Sequence, residues 1–481
     1  MRVHRWMGVA FCVLFPMWFL SGFVMMYRGF PYVDPEDRLR RAVELDAARI
    51  LVTPERALAA AGVSASPSQI RLNSLDGRPV YRFAFGRRLV LVFADDGQRI
   101  DAIPQEMALR IASAWTGFSP RTASPQGLRV QDYPWTFYST VRPYGPFYKF
   151  SFPNREEVYV SQSTGEVVQD TTPASRIGAY FGAIPHWLYF AWLQSNPSLW
   201  AQAVIWLAGA GAVMSFLGLV AGVWLYSPSQ RYRFRGARSS IPFAGLKHWH
   251  VVLGLIFGIV TCSWVFSGLL SMGPFSFLND RGLPDLERAL RQDRIDIAKF
   301  AAKSPREAIA EAHGLKVKEL EFALLDKAPF YLAKHASRES RIVPVSGDSQ
   351  DAFKTEQIIG AVKQAAAPTG IAATRLVTAY EPYYVDRENR MPLPAVYVQL
   401  NDAGRSSYYI DPRTGMVVQS YGTRSRWNRW LYHGLHSIDL PWLYSHRPAW
   451  DIVVILLLLG GTSLSITSLS IAWSLLRRKF A

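Results

Sequence analysis

The sequence contains very little cysteine. Only two of its 481 residues are cysteines, Cys12 and Cys262, and both fall within long apolar runs. Two thiols cannot build a four-cysteine zinc or iron–sulfur site, and neither is available to link the polar segments. The sequence therefore excludes thiolate metal clusters and disulfide-stapled external domains.

Short motifs of several enzyme classes are also missing. No G-x-G-x-x-G motif follows a strand and there is no P-loop, so neither a dinucleotide nor an ATP site is predicted. Neither a zincin H-E-x-x-H motif nor a G-x-S-x-G elbow is present. The net charge is +16, but no basic run is interleaved with aromatic residues, so we expect no nucleic-acid partner.

Four apolar runs are long enough to cross a lipid bilayer, which takes about 20 residues. They cover residues 6–27, 199–225, 251–272 and 450–475. The first is longer than the core of a signal peptide and no small-x-small cleavage site follows it, so we interpret it as an uncleaved anchor. The sequence thus predicts a membrane α-helical protein with four transmembrane helices.

The charge of the short loop between the second and third runs predicts the topology. Residues 227–247 carry five cationic side chains and no acid, and the C-terminus reads RRKFA. Short basic flanks stay in the cytoplasm. We therefore expect a multi-pass protein of a bacterial inner membrane, with both termini cytoplasmic and two large polar segments periplasmic.

The chain repeats itself at long range. HRWMGVAFCVLFPMWFLSG, residues 4–22, aligns without a gap with HVVLGLIFGIVTCSWVFSG, residues 250–268. The polar segments repeat at an offset of 250 residues. Self-similarity at such a period predicts an internal tandem duplication.

Each polar segment reads as an α+β domain. VTPERALAAAG and KSPREAIAEAHG each place an N-cap residue before a proline, which predicts a helix start at Thr53 and Ser304. Residues 70–83 and 320–333 read as hairpins, as do the TG-x-V-V segments 158–169 and 408–419.

These patterns give a domain plan. The predicted parts are transmembrane helices 1–27, 197–226, 248–272 and 448–476, periplasmic α+β domains 28–196 and 273–447, a cytoplasmic loop 227–247 and a cytoplasmic tail 477–481.

Several of these patterns occur together in one known family. They are the H-x-x-x-G helix starts, the TPERA and SPREA helices, the TG-x-V-V hairpins and WLYHGLHSIDLPWLYSHRPAWDIVVILL at residues 430–457. Together they resemble the PepSY-associated transmembrane-helix family over essentially the whole chain. The resemblance implies an iron-regulated bacterial inner-membrane protein with PepSY-like domains, and one branch of that family consists of haem-containing ferric-siderophore reductases.

The repeat retains two pairs among the nine histidines. His4 matches His250 at the starts of the first and third runs, and His186 matches His436 before the second and fourth. Equivalent residues of a repeat can face each other across its symmetry axis, and two facing imidazoles are the axial ligands of a low-spin haem b. We predict one or two bis-histidine haems, one near each membrane face, and no metal other than haem iron.

Other interpretations of these residues stay open. The histidines could be interfacial anchors, one level alone could bind haem, and His433 could replace His436 as a ligand. The two levels are about 22 helical residues apart, or roughly 33 Å. The repeat partners Trp18 and Trp264 could relay electrons between them, although core packing is the commoner role of such aromatics.

A site for an electron acceptor is a further hypothesis. The segment YEPYYVDRENR groups Tyr383, Tyr384, Asp386 and Arg390. Aromatic and arginine side chains suit an anionic, aromatic ferric chelate. The alternative, which the sequence favours, is a strand with ordinary cross-strand aromatic pairs.

The preferred function is a haem b-containing oxidoreductase, a membrane ferric reductase that passes electrons to ferric iron or a ferric siderophore in the periplasm. Its donor would be quinol or a cytoplasmic protein, since no nucleotide site is predicted. The alternative is a non-catalytic PepSY-domain scaffold, sensor or regulator that binds a periplasmic protein. The sequence identifies no catalytic residue.

Reporter fusions test the topology. Green fluorescent protein fused after Ser240 should fluoresce and alkaline phosphatase fused there should be inactive, because the basic loop is expected in the cytoplasm. Phosphatase fused after Val160 should be active. Active phosphatase at Ser240 would contradict the predicted orientation.

Overall fold

The computed structural model describes residues 1–137, 140–234, 236–275, 277, 286–291, 294–386 and 390–480. Its residues form two compact units, which we describe separately. The helical unit comprises Met1–Phe30, Ala174–Asp280 and Arg424–Ala481. The sheet unit comprises Pro31–Pro173 and Arg281–Thr423.

The helices are numbered in chain order. They are α1 (Arg2–Phe11), α2 (Leu14–Met25), α3 (Pro35–Arg41), α4 (Pro54–Ala60), α5 (Gln105–Thr116), α6 (Pro173–Phe181), α7 (Ala183–Trp187), α8 (Ala191–Gln194), α9 (Pro197–Leu225), α10 (Leu246–Ser271), α11 (Leu286–Arg291), α12 (Pro305–Ala310), α13 (Thr355–Ala365), α14 (Thr423–Asn428), α15 (Pro441–Tyr444) and α16 (Ala449–Phe480). A π-helical turn covers Arg429–Gly434.

The strands are numbered in the same way. They are β1 (Gln69–Leu75), β2 (Arg78–Phe85), β3 (Arg88–Phe93), β4 (Arg99–Ile100), β5 (Ser124–Arg129), β6 (Phe147–Ser151), β7 (Glu157–Ser161), β8 (Val167–Thr171), β9 (Tyr232–Phe234), β10 (Ala237–Ser239), β11 (Glu319–Leu325), β12 (Ala328–Ala336), β13 (Glu339–Pro344), β14 (Ile371–Val377), β15 (Ala395–Leu400), β16 (Ser407–Asp411) and β17 (Met416–Tyr421).

Three helices of the helical unit, α9, α10 and α16, are long and apolar enough to cross a membrane. The first apolar run differs from the single helix that was expected, because α1 and α2 meet at an angle of 53°. Pro16 explains the bend. It has no N–H to donate to the carbonyl of Cys12 one turn earlier, and its ring crowds that carbonyl. The chain is a membrane protein, with the bilayer as a partner and an α+β unit attached.

Aromatic rings and glycines bring the long helices close together. The ring of Phe19 on α2 lies where a side chain on Gly461 would be, with 2.2 Å between a ring carbon and a Cβ built at that glycine. Phe257 of α10 covers Gly460 in the same way, at 2.3 Å. Glycine at these two positions lets α2 and α10 pack directly against α16.

The sheet unit is organised around a seven-stranded antiparallel sheet in the order β13-β12-β11-β1-β2-β3-β4. The boundaries of two separate external domains stay a prediction, but the sequence did not predict that both segments would contribute strands to one sheet. Helices α4 and α12 cover one face. On the other face lie α5 with the sheet β5–β8, and α13 with the sheet β14–β17.

Strands β1 and β11 join the two segments in a symmetrical register. Arg71 lies opposite Glu321, its counterpart at the offset of 250 residues, and the strands match position for position on either side. Each strand therefore pairs with the strand that the sequence repeat assigns to it.

The local predictions in the polar segments are confirmed. The hydroxyl of Ser304 accepts the backbone N–H of Glu307, whose carboxylate accepts the N–H of Ser304 in return. Thr53 caps α4 in the same position. The predicted hairpins are β1–β2, β11–β12, β7–β8 and β16–β17.

A disulfide across β1 and β11 tests the shared sheet. Asn73→Cys/Glu319→Cys, in a chain whose native cysteines are serine, should cross-link because these residues are directly paired and paired Cα atoms lie about 4.5–5.5 Å apart. After cleavage at a protease site inserted behind Ser240, the fragments should stay joined on a non-reducing gel. Asn73→Cys/Leu320→Cys is the control, because residue 320 faces the other side of the sheet. Equal cross-linking of both pairs would contradict this register.

Candidate functional site

The structure brings the histidines of each predicted pair together within the helical unit. His4 on α1 and His250 on α10 have ring centroids 6.3 Å apart. His186 on α7 and His436, which follows the π-helical turn, have ring centroids 6.1 Å apart. We refer to these as the inner pair and the outer pair.

Hydrogen bonds at Nδ1 orient the rings of the inner pair. Nδ1 of His4 lies 3.0 Å from the carbonyl oxygen of Met214. Nδ1 of His250 lies 3.0 Å from the hydroxyl of Thr467, and this hydroxyl donates its own proton to the carbonyl of Leu464. Both acceptors therefore require a proton on Nδ1, which leaves the lone pair of each neutral ring at Nε2.

The outer His186 is held by two groups of α2. Its Nδ1 lies 3.0 Å from the hydroxyl of Ser21 and 3.2 Å from the carbonyl of Trp18. Ser21 donates its proton to that same carbonyl. The hydroxyl therefore accepts from His186, and the lone pair of this ring is also at Nε2.

His436 repeats this arrangement on α10. Its Nδ1 lies 3.0 Å from the hydroxyl of Ser267 and 3.2 Å from the carbonyl of Trp264, and Ser267 donates to the same carbonyl. All four imidazoles thus carry the proton on Nδ1. In metal-binding histidines, a hydrogen bond at one nitrogen fixes the ring and leaves the other nitrogen as the ligand.

A cavity of about 350 Å³ lies beside the inner pair and is lined by both rings. Gly8 and Gly254 stand one helical turn after His4 and His250 and line it too. A Cβ built on either glycine would come no closer than 3.9 Å to any neighbouring side chain. The two glycines therefore keep open space next to the two rings.

The ring spacing fits axial ligation. A bond from a metal ion to an imidazole nitrogen is about 2.0–2.1 Å, and the ring centroid lies roughly 1.1 Å behind the nitrogen, so one ion held between two such rings would place their centroids about 6.3 Å apart. The observed spacings are 6.3 and 6.1 Å. Two neutral imidazoles with Nε2 lone pairs are a donor set that fits the bis-histidine haem expected from the sequence.

The family comparison agrees with the resemblance seen in the sequence. A family model described as the PepSY-associated TM region matches residues 1–314, which is more than half of the chain. The protein belongs to this family. No curated protein matches the chain.

Three of the four paired histidines of this PepSY-associated TM protein, His4, His186 and His250, lie within the matched residues, and His436 lies beyond them. The same protein carries His433 on the π-helical turn, where its ring contacts Tyr432 at 4.4 Å. The ring that faces His186 is that of His436. The alternative in which His433 replaces His436 as a ligand therefore has no geometric support among the described contacts.

The two pairs are closer together along the helices than the sequence predicted. Ser267, which holds His436, follows His250 by 17 residues on the unbroken helix α10, or about 25 Å at 1.5 Å per residue. The expected separation was roughly 33 Å. The difference arises because the outer histidines fold back onto α2 and α10 instead of standing at the start of the next helix.

The two tryptophans lie in the apolar core of the helical unit. Trp264 is buried against Phe19, with ring centroids 5.9 Å apart, and Trp18 packs on the same core. Their carbonyls, rather than their rings, hold the outer histidines. A relay role for the rings stays a prediction.

The tyrosines of the hypothetical acceptor segment are packed within the sheet unit. Tyr384 is fully buried and stacks on Tyr409 with centroids 4.7 Å apart, and its hydroxyl donates to the carbonyl of Pro392. Tyr383 packs edge-on against Tyr421. The expected strand is wrong, because both tyrosines lie in a turn between β14 and β15. Their rings nevertheless pack against neighbouring aromatic side chains, as ordinary core residues do.

The charged residues of that segment also have partners. The carboxylate of Asp386 accepts the backbone N–H groups of Arg390 and Met391. The guanidinium of Arg390 lies 3.4 Å from the carboxylate of Asp34. Arg387 lies outside the described residues.

Sequence reasoning missed the groups that hold the inner rings. Thr467 carries no motif. The carbonyls of Met214 and Leu464, which accept from His4 and His250, are repeat partners at the offset of 250 residues, but backbone groups leave no residue signal. Ser21 and Ser267 are repeat partners one residue before matched glycines, and that retention was the available signal for the outer pair.

Gly218 on α9 gives a sharp test of the inner pair. A Cβ at this position would lie 2.5 Å from Cε1 of His4, so Gly218→Ala should displace the ring and lower the content of the haem predicted from the sequence, measured as pyridine haemochrome. Gly209→Ala is the matched control on the same helix, because nothing lies within 4 Å of its Cβ. Equal haem content in the two variants would contradict this placement.

Proposed function

We propose that the chain is a four-span protein of the bacterial inner membrane built by tandem duplication. The bent pair α1 and α2 would form the first span, followed by α9, α10 and α16. The basic loop and both termini would face the cytoplasm, and the sheet unit would be periplasmic. The symmetrical pairing of Arg71 with Glu321 supports the duplication, because it relates the two segments by a local two-fold axis.

We propose that the protein is a haem b-containing oxidoreductase that passes electrons across the membrane to a periplasmic acceptor. The observation that carries this proposal is the pairing of four Nδ1-protonated histidines at two levels of one helical unit. Interfacial anchors would not need to face one another, nor to hold their protons on the same nitrogen.

Each histidine pair would bind one haem. His4 and His250 would ligate an inner haem, and His186 and His436 an outer one. Ser21 and Ser267 restrain the outer rings at Nδ1, so each Nε2 lone pair would be free to bind the outer haem. A bis-histidine haem supplies one-electron transfer without an open coordination position.

Cationic side chains around the inner cavity fit the acidic edge of a haem. Arg2, Arg5 and Lys247 line the cavity beside the inner pair. Guanidinium and ammonium groups form charge-assisted hydrogen bonds with carboxylates. These side chains would neutralise the propionates and orient the macrocycle.

The acceptor that suits one-electron transfer through two haems is ferric iron in a chelate, such as a ferric siderophore. A quinol or a cytoplasmic protein would donate the electrons, because the sequence has no nucleotide-binding motif. The rival, a non-catalytic PepSY-domain scaffold or sensor, has no need of two facing histidine pairs.

Rapid mixing tests the activity. Detergent-purified protein, reduced and freed of excess reductant, should be re-oxidised by a ferric hydroxamate siderophore, seen as loss of the reduced haem α-band. His436→Ala should slow this step at least about tenfold, because it removes a ligand of the outer haem. His446→Ala, an exposed histidine, is the control. A reduced protein that keeps its electrons in the presence of the chelate would favour the scaffold.

A further inference from the structure

The sheet unit contains a pocket of about 410 Å³ where β1 meets β11. Residues of both sequence segments line it, and it lies apart from the aromatic segment considered above as an acceptor site. Seven cationic side chains line the pocket, namely Arg38, Arg41, Arg71, Arg82, Arg110, Lys318 and Lys334. Four acidic side chains accompany them, namely Glu36, Asp76, Glu166 and Glu319.

The floor of the pocket is an ion-paired network. Arg71 lies 3.4 Å from both Glu166 and Glu319. Arg82 is buried, and its Nη1 donates to the carbonyl of Thr164 at 2.6 Å. Burial alone would raise the pKa of Glu166, but the charges of Arg71, Arg82 and Arg38 outweigh it and hold that pKa at about 2. Glu166 is therefore ionised, and both acids of the floor form ion pairs with Arg71.

The remaining floor charges are also matched. Lys334 lies 3.3 Å from Glu319 and 2.6 Å from Glu321. At the side of the pocket, Arg110 pairs with Asp76 at 2.6 Å. Buried charges are stable only when paired in this way. The network accounts for the structural role of these residues.

Three cationic side chains at the mouth of the pocket form no ion pair among their described contacts. Arg38 donates to the carbonyl of Val33 at 3.5 Å. Arg41 donates to the carbonyl of Trp115 at 2.6 Å, with its guanidinium 4.3 Å from the centre of the Trp115 ring. Lys318 donates to the carbonyl of Arg40 at 2.8 Å.

These neutral partners position the three groups. No carboxylate forms a described ion pair with them, although the charge of Arg38 acts on Glu166 and that of Arg41 on Asp170 at longer range. Helix α3 holds both arginines, and its start is fixed by a capping box between Asp34 and Asp37. Lys318 reaches the end of the same helix from the start of β11. The mouth is thus a preorganised cationic edge over a floor whose acids are paired, and Glu36 of α3 is the lining acid with no ion pair among the described contacts.

We propose that this pocket binds a small polycarboxylate anion, with its carboxylates on Arg38, Arg41 and Lys318. The planar guanidinium fork accepts a carboxylate through two parallel hydrogen bonds. Three separate cations suit a ligand with more than one carboxylate, and the pocket volume lies in the range of small-ligand sites. The ring of Trp115 offers an apolar wall at the same edge. This inference does not depend on the haem proposal.

Calorimetric titration of the full-length protein in detergent at low ionic strength tests the site, with citrate as the probe. Citrate should bind, and Arg38→Gln/Arg41→Gln should weaken binding at least about tenfold, because two charge-assisted hydrogen-bonding groups are lost. Arg87→Gln/Arg88→Gln is the matched control. It removes the same charge from two exposed arginines outside the pocket and should leave the affinity within about twofold.

Inorganic phosphate is the second probe, and it should bind at least about tenfold more weakly than citrate if several carboxylates are recognised together. The thermal unfolding midpoint of each variant checks that the pocket still folds. Absence of citrate binding to the folded wild type, equal loss in both double variants, or phosphate binding as tight as citrate would each overturn the proposal.

Discussion

A neutral imidazole carries a single N–H, and the groups around Nδ1 decide where that proton sits in all four paired histidines. At three of them a backbone carbonyl accepts it, and carbonyls cannot donate in return. At His250 a threonine hydroxyl, whose own proton is already directed elsewhere, does the same. Helices α2, α9, α10 and α16 supply these acceptors, so the position of each paired ring depends on how these four helices pack.

The two units express the repeat in different ways. In the helical unit, equivalent histidines from the two segments face each other at ring spacings of 6.3 and 6.1 Å. In the sheet unit, equivalent strands pair directly, with Arg71 opposite Glu321. The symmetry is incomplete in the first span. Pro16 bends the first helix, whereas the repeat places Cys262 at that position and α10 is unbroken.

Much of this architecture was readable from the sequence, because caps, hairpins and apolar runs are local patterns. The histidine pairs were readable because two diverged copies retained them. Proline within the first apolar run is itself a sequence signal for a bend at residue 16. The shared sheet, Thr467, and Gly218 beside His4 were not predictable, since each depends on contacts between segments that lie far apart in sequence. Tyr380, Tyr383 and Tyr384 show the converse, because a composition that suggests a binding site belongs to residues that pack within or against a core.

Haem stoichiometry in the four single histidine variants tests the central claim most directly. Purified wild-type protein should carry close to two haems b per chain, by pyridine haemochrome against protein concentration. His4→Ala or His250→Ala should each remove the inner haem alone, and His186→Ala or His436→Ala the outer one alone, with the thermal stability of the sheet unit unchanged. A wild-type protein that stays colourless after reconstitution with haem would contradict the account and leave the paired histidines as structural contacts.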